Sequence, residues 1–307
     1  MTRWSPPPFT LRQLQYALAV AAHHSFRKAA EVCAVSQPAL SEQIGQLESA
    51  LGLRLFERLS AGVVVTAAGA SVLERAQRTL LDADDLTATA DRAKDPFSGT
   101  LRIGVIPSVA PYLLPEAAPV LRKKFPRLQL VWVEEKTHLL VERIGAGALE
   151  AAIVALESGL GDLETEALGR DPFLLALPAG HRLCKGAAPA RLEDLDGETV
   201  LLLEDGHCFR DQALAVCRRA GAEEASVRAT SLSTLAQMVA GGAGITLLPR
   251  LALRQENRAG ALVTRAFGVR GPARTLVLAF RPTAPQAAAT RALAEVLRGV
   301  VGKLALS

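Results

Sequence analysis

The chain changes texture once, at Asp95-Pro96-Phe97-Ser98-Gly99, and that break limits what each side of it can fold into. Residues 10 to about 95 read as nearly all helix; beyond the break, short apolar runs alternate with helical ones. Leu11, Leu14, Leu18 and Ala21-Ala22 give the stripe of a first helix. Ser25 caps a second, Phe26 to Cys33, and Ser36 caps a third, Gln37 to about Leu51. An extended pair, Leu53 to Phe56 and Val63 to Thr66, then leads into a long helix from Thr66 to about Ala93. Val72, Leu73, Ala76, Leu80 and Leu86 recur on one side of that helix, a stripe expected to self-associate rather than only pack on its own domain.

After the break, strands are expected over 101–106, 128–134, 151–155, 173–177, 200–203, 227–229, 244–248 and 276–280. Helices are expected over 111–125, 138–147, 209–220, 232–240 and 285–304. Such alternation implies parallel α/β sheets wrapped by helices. With 307 residues in all, two lobes around a cleft fit the length better than one sheet. No apolar run approaches the roughly 18 residues of a membrane span. The start, Met1 to Phe9 with Pro6-Pro7-Pro8, lacks the plan of a signal peptide and reads as a disordered lead-in, so a cytoplasmic location is expected. The net charge of +4 permits nucleic-acid binding without requiring it.

Phe26 to Gly45 fits a helix-turn-helix. Ala30 is the small residue needed for close approach of two helices, Ala34-Val35-Ser36 makes the turn, and Leu40 fills the shared core. Ser36, Gln37, Ser41 and Gln43 are polar groups on the outer side of the third helix, suited to base edges or phosphates. Arg54 and Arg58 lie where a wing would touch the backbone of DNA. Many helical hairpins share this spacing, so it does not decide the matter alone.

Four cysteines are too few for a disulfide scaffold. Two of them, Cys208 and Cys217, fall nine residues apart on one helix, where Ala213, Val216, Cys217 and Ala220 follow the spacing of a buried stripe. Cys208 stands at the helix mouth, where open backbone N–H groups and the dipole stabilise a thiolate. On a continuous helix the two Cα atoms would be roughly 13 Å apart. A disulfide needs about 4.4–6.8 Å, so a bond between them would require the segment to unwind. Cys33 reads as a small core residue; Cys184, in His181-Arg182-Leu183-Cys184-Lys185, is either a reactive thiol near cations or an incidental one. No Cys-x-x-Cys or His-x-x-x-His spacing occurs, and Gly241-Gly242-Ala243-Gly244 precedes a strand rather than cradling phosphate, so neither metal nor cofactor is expected.

Leu14 to Phe26, Ala29-Ala30, Ser36-Gln37-Pro38-Ala39-Leu40-Ser41, Ile44, Leu47-Glu48, Leu51-Gly52, Leu55-Phe56-Glu57-Arg58 and Thr66-Ala67-Ala68-Gly69 resemble the signature of LysR-type transcriptional regulators. The resemblance implies an α+β winged helix-turn-helix domain over 1–65 and a dimerising linker helix over 66–95. It further implies a two-lobed α/β effector domain over 99–307, like type II periplasmic binding proteins. Lobe I would take about 99–170 and 272–307, and lobe II about 171–271. The expected DNA-contacting set is Ser36, Gln37, Pro38, Ser41, Gln43, Arg54 and Arg58.

Within that family the chain is similar to the peroxide-sensing members. The likeness rests on Leu203-Glu204-Asp205-Gly206-His207-Cys208, Arg210-Asp211-Gln212-Ala213, Cys217, Arg228-Ala229-Thr230-Ser231-Leu232 and Gly244-Ile245-Thr246-Leu247-Leu248-Pro249. Ile106-Pro107-Ser108-Val109, Pro111-Tyr112-Leu113-Leu114-Pro115 and Thr137-His138 extend it into the first lobe. It implies Cys208 as peroxidatic and Cys217 as resolving thiol, with Ser108 and Thr137 orienting the peroxide; Ser108 stands where the family pattern has Thr. His207 and Arg210 flank Cys208 and are candidates to activate it, Arg210 preferred because it stays charged at any working pH. The expected peroxide pocket is Ser108, Thr137, His207, Arg210 and Asp211, with Asp211 expected to cap the helix or pair with Arg210 rather than touch the peroxide. The implied partners are hydrogen peroxide, double-stranded promoter DNA, RNA polymerase, a glutaredoxin- or thioredoxin-type reductant, and further copies of the chain as homodimer and homotetramer. The expectation is thus a regulator of oxidative-stress defence genes, not an enzyme. An alternative keeps the regulator but places a small organic effector in the interlobe cleft; a thiol peroxidase is disfavoured, having no use for a helix-turn-helix.

Overall fold

The structure, a computed structural model, describes residues 6–59, 62–92, 95, 97–156, 159–185, 189–268 and 270–306. Residues 1–5 of the expected lead-in, 93–94 at the end of the expected linker helix and Pro96 in the break lie outside them. The chain divides into two compact units, Met1–Asp91 and Arg92–Ser307.

In the first unit, α1 (Leu11–His23) starts at Thr10, whose hydroxyl accepts from Gln13 N while the Gln13 side chain accepts from Thr10 N, a reciprocal cap. Ser25 and Ser36 cap α2 (Phe26–Val32) and α3 (Gln37–Leu51) by accepting from Lys28 N and Ala39 N. The turn between them passes through Ala34 at φ 53°, a left-handed conformation costing about 1–2 kcal/mol that the packing around it must offset. That packing is Leu14, Ala17, Val20, Ala29, Ala30, Leu40, Ile44 and Leu47, all buried. Glu48 closes the far end, accepting from Leu55 N at 2.7 Å and Phe56 N at 3.1 Å. These bonds hold Leu53 to Leu55 out of the sheet, so of the antiparallel wing strands β1 (Phe56–Leu59) lies later than expected, while β2 (Gly62–Val65) lies one residue earlier. The long helix α4 (Ala67–Arg92) follows. Gly69 lets it start tight on the wing, since a Cβ there would lie 2.4 Å from Leu55 O. Leu73 and Ala76 join the core of this unit, whereas Leu86 is exposed.

The second unit begins with β3 (Gly99–Val105), α5 (Ala110–Lys124), β4 (Leu128–Glu134), α6 (Thr137–Gly145) and β5 (Ala151–Ala155). A long strand β6 (Glu164–Pro178) leads to β7 (Thr199–Leu203), α7 (Cys208–Ala220), β8 (Glu223–Ala229), α8 (Leu232–Ala240), β9 (Thr246–Pro249), α9 (Arg250–Glu256) and β10 (Leu262–Ala266). Then β11 (Ala273–Phe280) and α10 (Ala287–Leu306) complete it. The main sheet runs β10-β6-β11-β5-β3-β4, with β9 also on β6. The first half of β6 pairs with β11, and its second half lies between β9 and β10, so one strand serves both lobes. The chain crosses near Asp171-Pro172 and returns near Pro272-Ala273.

The expectation of parallel sheets needs correction. Pairing is parallel at β3–β4, β3–β5 and β7–β8, but β11 runs antiparallel to β5 and β6, and β6 antiparallel to β9 and β10. A strand re-entering from the other lobe needs no crossover helix and arrives pointing the opposite way. Both α9 and β10 were absent from the expected order.

Candidate functional site

Strand β7 delivers Glu204-Asp205-Gly206 to the start of α7, and Gly206 makes the turn at φ 89°, outside the comfortable range of other residues. His207 takes the extended N-cap position without a side-chain capping bond, and Cys208 opens the helix. The helix is continuous from Cys208 to Ala220, which sets the Cα atoms of Cys208 and Cys217 roughly 13 Å apart. At about 100° per residue the two side chains leave opposite sides of the helix. Both are buried, and neither is in a disulfide. Burial, with Glu224 adding, pushes the Cys217 thiol up from 9.0 to about 11.

Cys208 borders a cavity of about 10 Å³ together with Ile106, Pro107, Ser108, Lys136, Thr137, Gly206 and His207. That is space for one molecule of about water size. Ser108 and Thr137 come from lobe I, Cys208 and His207 from lobe II. Thr137 Oγ1 is buried there without a hydrogen-bond partner among the described residues, so its hydroxyl is available to a polar molecule in the cavity. A larger interlobe cleft of about 140 Å³ adjoins it, sharing Pro107, Ser108 and His207 and bordered by Tyr112, Glu134 and Ser231. His207 has its pKa lowered by burial first and by Lys136 second, against an opposing pull from Glu204.

Ser108 is held by a residue that sequence reasoning missed. Arg274 donates from Nη1 to Ser108 Oγ at 2.6 Å and from Nη2 to Ser108 O at 2.9 Å. Its Nε meets Asp171 Oδ2 at 2.9 Å, and its guanidinium lies 5.6 Å from the Phe209 ring centre. Asp171 Oδ1 accepts from Leu251 N in α9. A charged residue inside each of the two crossover strands was the only sequence signal for this pair.

Arg210 and Asp211, expected at the pocket, lie elsewhere. Arg210 is buried, but its Nε binds Asp205 at 2.8 Å and its Nη1 binds Glu224 at 2.9 Å, with Arg228 joining both carboxylates. Residues i and i+2 of a helix face different ways, so adjacency to Cys208 turned Arg210 away from the cavity. Asp211 is exposed, and neither caps α7 nor pairs with Arg210. Lys136, also missed, donates to Glu204 Oε1 and to Asp205 O, each at 3.2 Å.

In the first unit, Ser36, Gln37 and Pro38 stand exposed at the start of α3. Ser41 accepts from Arg58 Nη2 at 2.7 Å, and Arg58 stacks 4.2 Å from the Phe26 ring, which ties wing to helix. Gln43 bonds Gln46, and exposed Arg54 gives its carbonyl to Thr66. Of the seven, Gln37, Pro38, Ser41 and Gln43 lie on α3, Ser36 caps it, Arg54 is in the loop before β1 and Arg58 is on β1. Cys33 ends α2, half-buried, its pKa raised by burial; Cys184 donates to Pro178 O.

Residues 11–70 match the bacterial regulatory helix-turn-helix family of LysR type, and residues 94–302 match the LysR substrate binding domain. The DNA-binding transcriptional dual regulator OxyR of Escherichia coli strain K12 is 42% identical over 293 residues, 94% of each chain. A full-length OxyR variant from Pseudomonas aeruginosa superposes with TM-score 0.76 at 34% identity, covering 94% of this chain and 95% of that one. A Corynebacterium glutamicum OxyR mutant with hydrogen peroxide bound gives 0.67 at 31% identity, covering 99% and 95%. The chain belongs to the LysR family of bacterial transcriptional regulators, among its OxyR-type members.

Proposed function

We propose that this regulator reads hydrogen peroxide through Cys208 and stores the signal as a Cys208–Cys217 disulfide. The observation that carries the reading is the pairing of a water-sized cavity at Cys208, furnished with the unpartnered Thr137 hydroxyl, with a second thiol on the far side of the same helix. Cys217, with its pKa near 11, is a thiol at neutral pH and so a poor first nucleophile. The Cys208 thiolate attacks one peroxide oxygen, the O–O bond breaks, and Cys208 becomes a sulfenic acid as hydroxide leaves and is protonated to water. The Cys217 thiol then condenses with it, forming the S–S bond and releasing a second water. Thr137 and the Arg274-held Ser108 orient the peroxide, and His207 borders it in neutral form.

Because α7 holds the sulfurs apart, the second step must unwind it, breaking the contacts of Arg210 with Asp205 and Glu224. The unwound segment repacks the lobes, and α4, through residues beyond those buried in the first unit, carries the change to a second copy. Dimers joined by α4 assemble further into tetramers. On DNA, the start of α3 enters the major groove with Ser36, Gln37, Pro38, Ser41 and Gln43, while Arg54 and Arg58 meet phosphates. The bound regulator acts on RNA polymerase at oxidative-stress promoters, and a glutaredoxin- or thioredoxin-type reductant resets it. No helix among the described residues is long and apolar enough to cross a membrane, and a DNA-binding regulator works where bacterial DNA is, in the cytoplasm.

Mass spectrometry of peroxide-treated full-length protein, with DNA footprints of both forms, tests this. The expected result is a Cys208–Cys217 bridge and a shifted footprint. Failure of the bridge to form would favour a small organic effector in the adjoining 140 Å³ cleft.

A further inference from the structure

We infer that Lys136 is the proton donor to the hydroxide that leaves when Cys208 reduces peroxide, and that its tether across the lobes holds it at the cavity. The inference rests on the peroxide reading above.

Breaking the O–O bond produces hydroxide in a cavity with room for about one water-sized molecule, so an acid in the cavity wall can protonate it as it leaves. Of the residues that line it, Lys136 is the only lysine or arginine; the rest are apolar, hydroxyl-bearing, a glycine, a thiol and His207. Burial and the Lys136 charge itself both favour neutral His207. An ammonium is a much stronger acid than the Ser108 or Thr137 hydroxyl.

The position of Lys136 is fixed by both lobes. Its backbone caps α6 in lobe I, directly before Thr137. Its ammonium reaches lobe II, bonding Glu204 Oε1 and Asp205 O, which uses two of its three N–H donors. The absence of a side chain at Gly206 leaves room for it, since a Cβ there would come within 3.3 Å of Nζ. With the side chain 28% exposed, the amine left after transfer regains its proton from solvent. The balance is then complete. Sulfur is oxidised to the sulfenic acid, one peroxide oxygen is reduced to hydroxide, and that hydroxide takes the Lys136 proton to become water.

The test uses reduced full-length protein carrying Cys217→Ser, so that reaction stops at the sulfenic acid. Rates of Cys208 oxidation by hydrogen peroxide and of its alkylation by iodoacetamide are compared among Lys136, Lys136→Met and Lys136→Gln. Iodide departs without a proton, so alkylation reports the thiolate alone. Gln retains an N–H donor for Glu204 and guards against simple misfolding. The expected result is at least a tenfold loss of the peroxide rate in both variants, with alkylation changed less than twofold. An unchanged peroxide rate, or equal losses with both reagents, overturns the role of Lys136. Absence of oxidation with Lys136 present would instead strike the peroxide reading itself.

Discussion

Asp171 and Arg274 form an ion pair with no solvent exposure, Oδ2 to Nε 2.9 Å, at the two places where the chain passes between lobes. The pair does more than join strands. Arg274 fixes the Ser108 hydroxyl and carbonyl at the Cys208 cavity, while Asp171 holds the first turn of α9 through Leu251 N. Desolvating two charges offsets most of their attraction, so such a pair specifies geometry more than it stabilises. Here the geometry specified is that of the Cys208 cavity relative to the crossings between the lobes.

Arg274→Met should therefore do two separable kinds of damage. It leaves the Asp171 carboxylate buried without its partner, costing about 3–5 kcal/mol, read as a lower urea midpoint. It also frees Ser108, slowing Cys208 oxidation. Adding Asp171→Leu should recover much of the stability but none of the rate. A single variant as stable and as fast as the parent would deny the pair any role.

Much of this was legible from residues close in sequence. The limits of α3 follow from Ser36 as cap and those of α8 from unbroken apolar spacing, and they stand where expected. The break at residue 95 and the thiol helix were equally local. Three kinds of feature were not. Asp171 and Arg274 are 103 residues apart, and nothing local pairs them. The first half of β6, Glu164 to Arg170, buries mainly Leu168, so its polar run reads as a loop. Arg210 was misplaced because sequence adjacency carries no side-chain direction, while Lys136 was overlooked because its partners come from the other lobe.

Cys217 makes the reduced form sensitive to alkali. Its pKa is raised from 9.0 to about 11 on folding, so the stabilisation is complete below pH 9 and is lost as pH rises through about 11. A difference of this size corresponds to about 3 kcal/mol. Denaturation midpoints of reduced protein should fall over that window, and Cys217→Ser should flatten the fall. The same variant should let Cys208 reach the sulfenic acid, trapped by dimedone, without the lasting footprint change.

His207 imposes the opposite limit. Its folded pKa lies below the ordinary 6.5, mainly through burial, so its contribution is intact above 6.5 and lost as pH falls through the folded value. Reduced protein should lose stability on acidification, and His207→Phe should lessen that loss. NMR titration of the ring checks the assignment directly; a midpoint at or above 6.5 would contradict it.

The redox potential should follow the stability of α7, because only the reduced form needs that helix whole. Ala215 is exposed on α7, so Ala215→Gly weakens the helix by about 1 kcal/mol without opening a core cavity. Destabilising the reduced form makes reduction less favourable and shifts the Cys208–Cys217 couple to a more negative potential. For two electrons, about 30 mV corresponds to 1.4 kcal/mol, so the shift should be about 20 mV. Equilibration against graded mixtures of reduced and oxidised dithiothreitol measures it. Local refolding also precedes condensation of the two sulfurs, so the bridge should close faster in this variant. An unchanged potential would mean that the turn around Ala215 stays helical on oxidation, so that the unwinding is confined to other turns of α7.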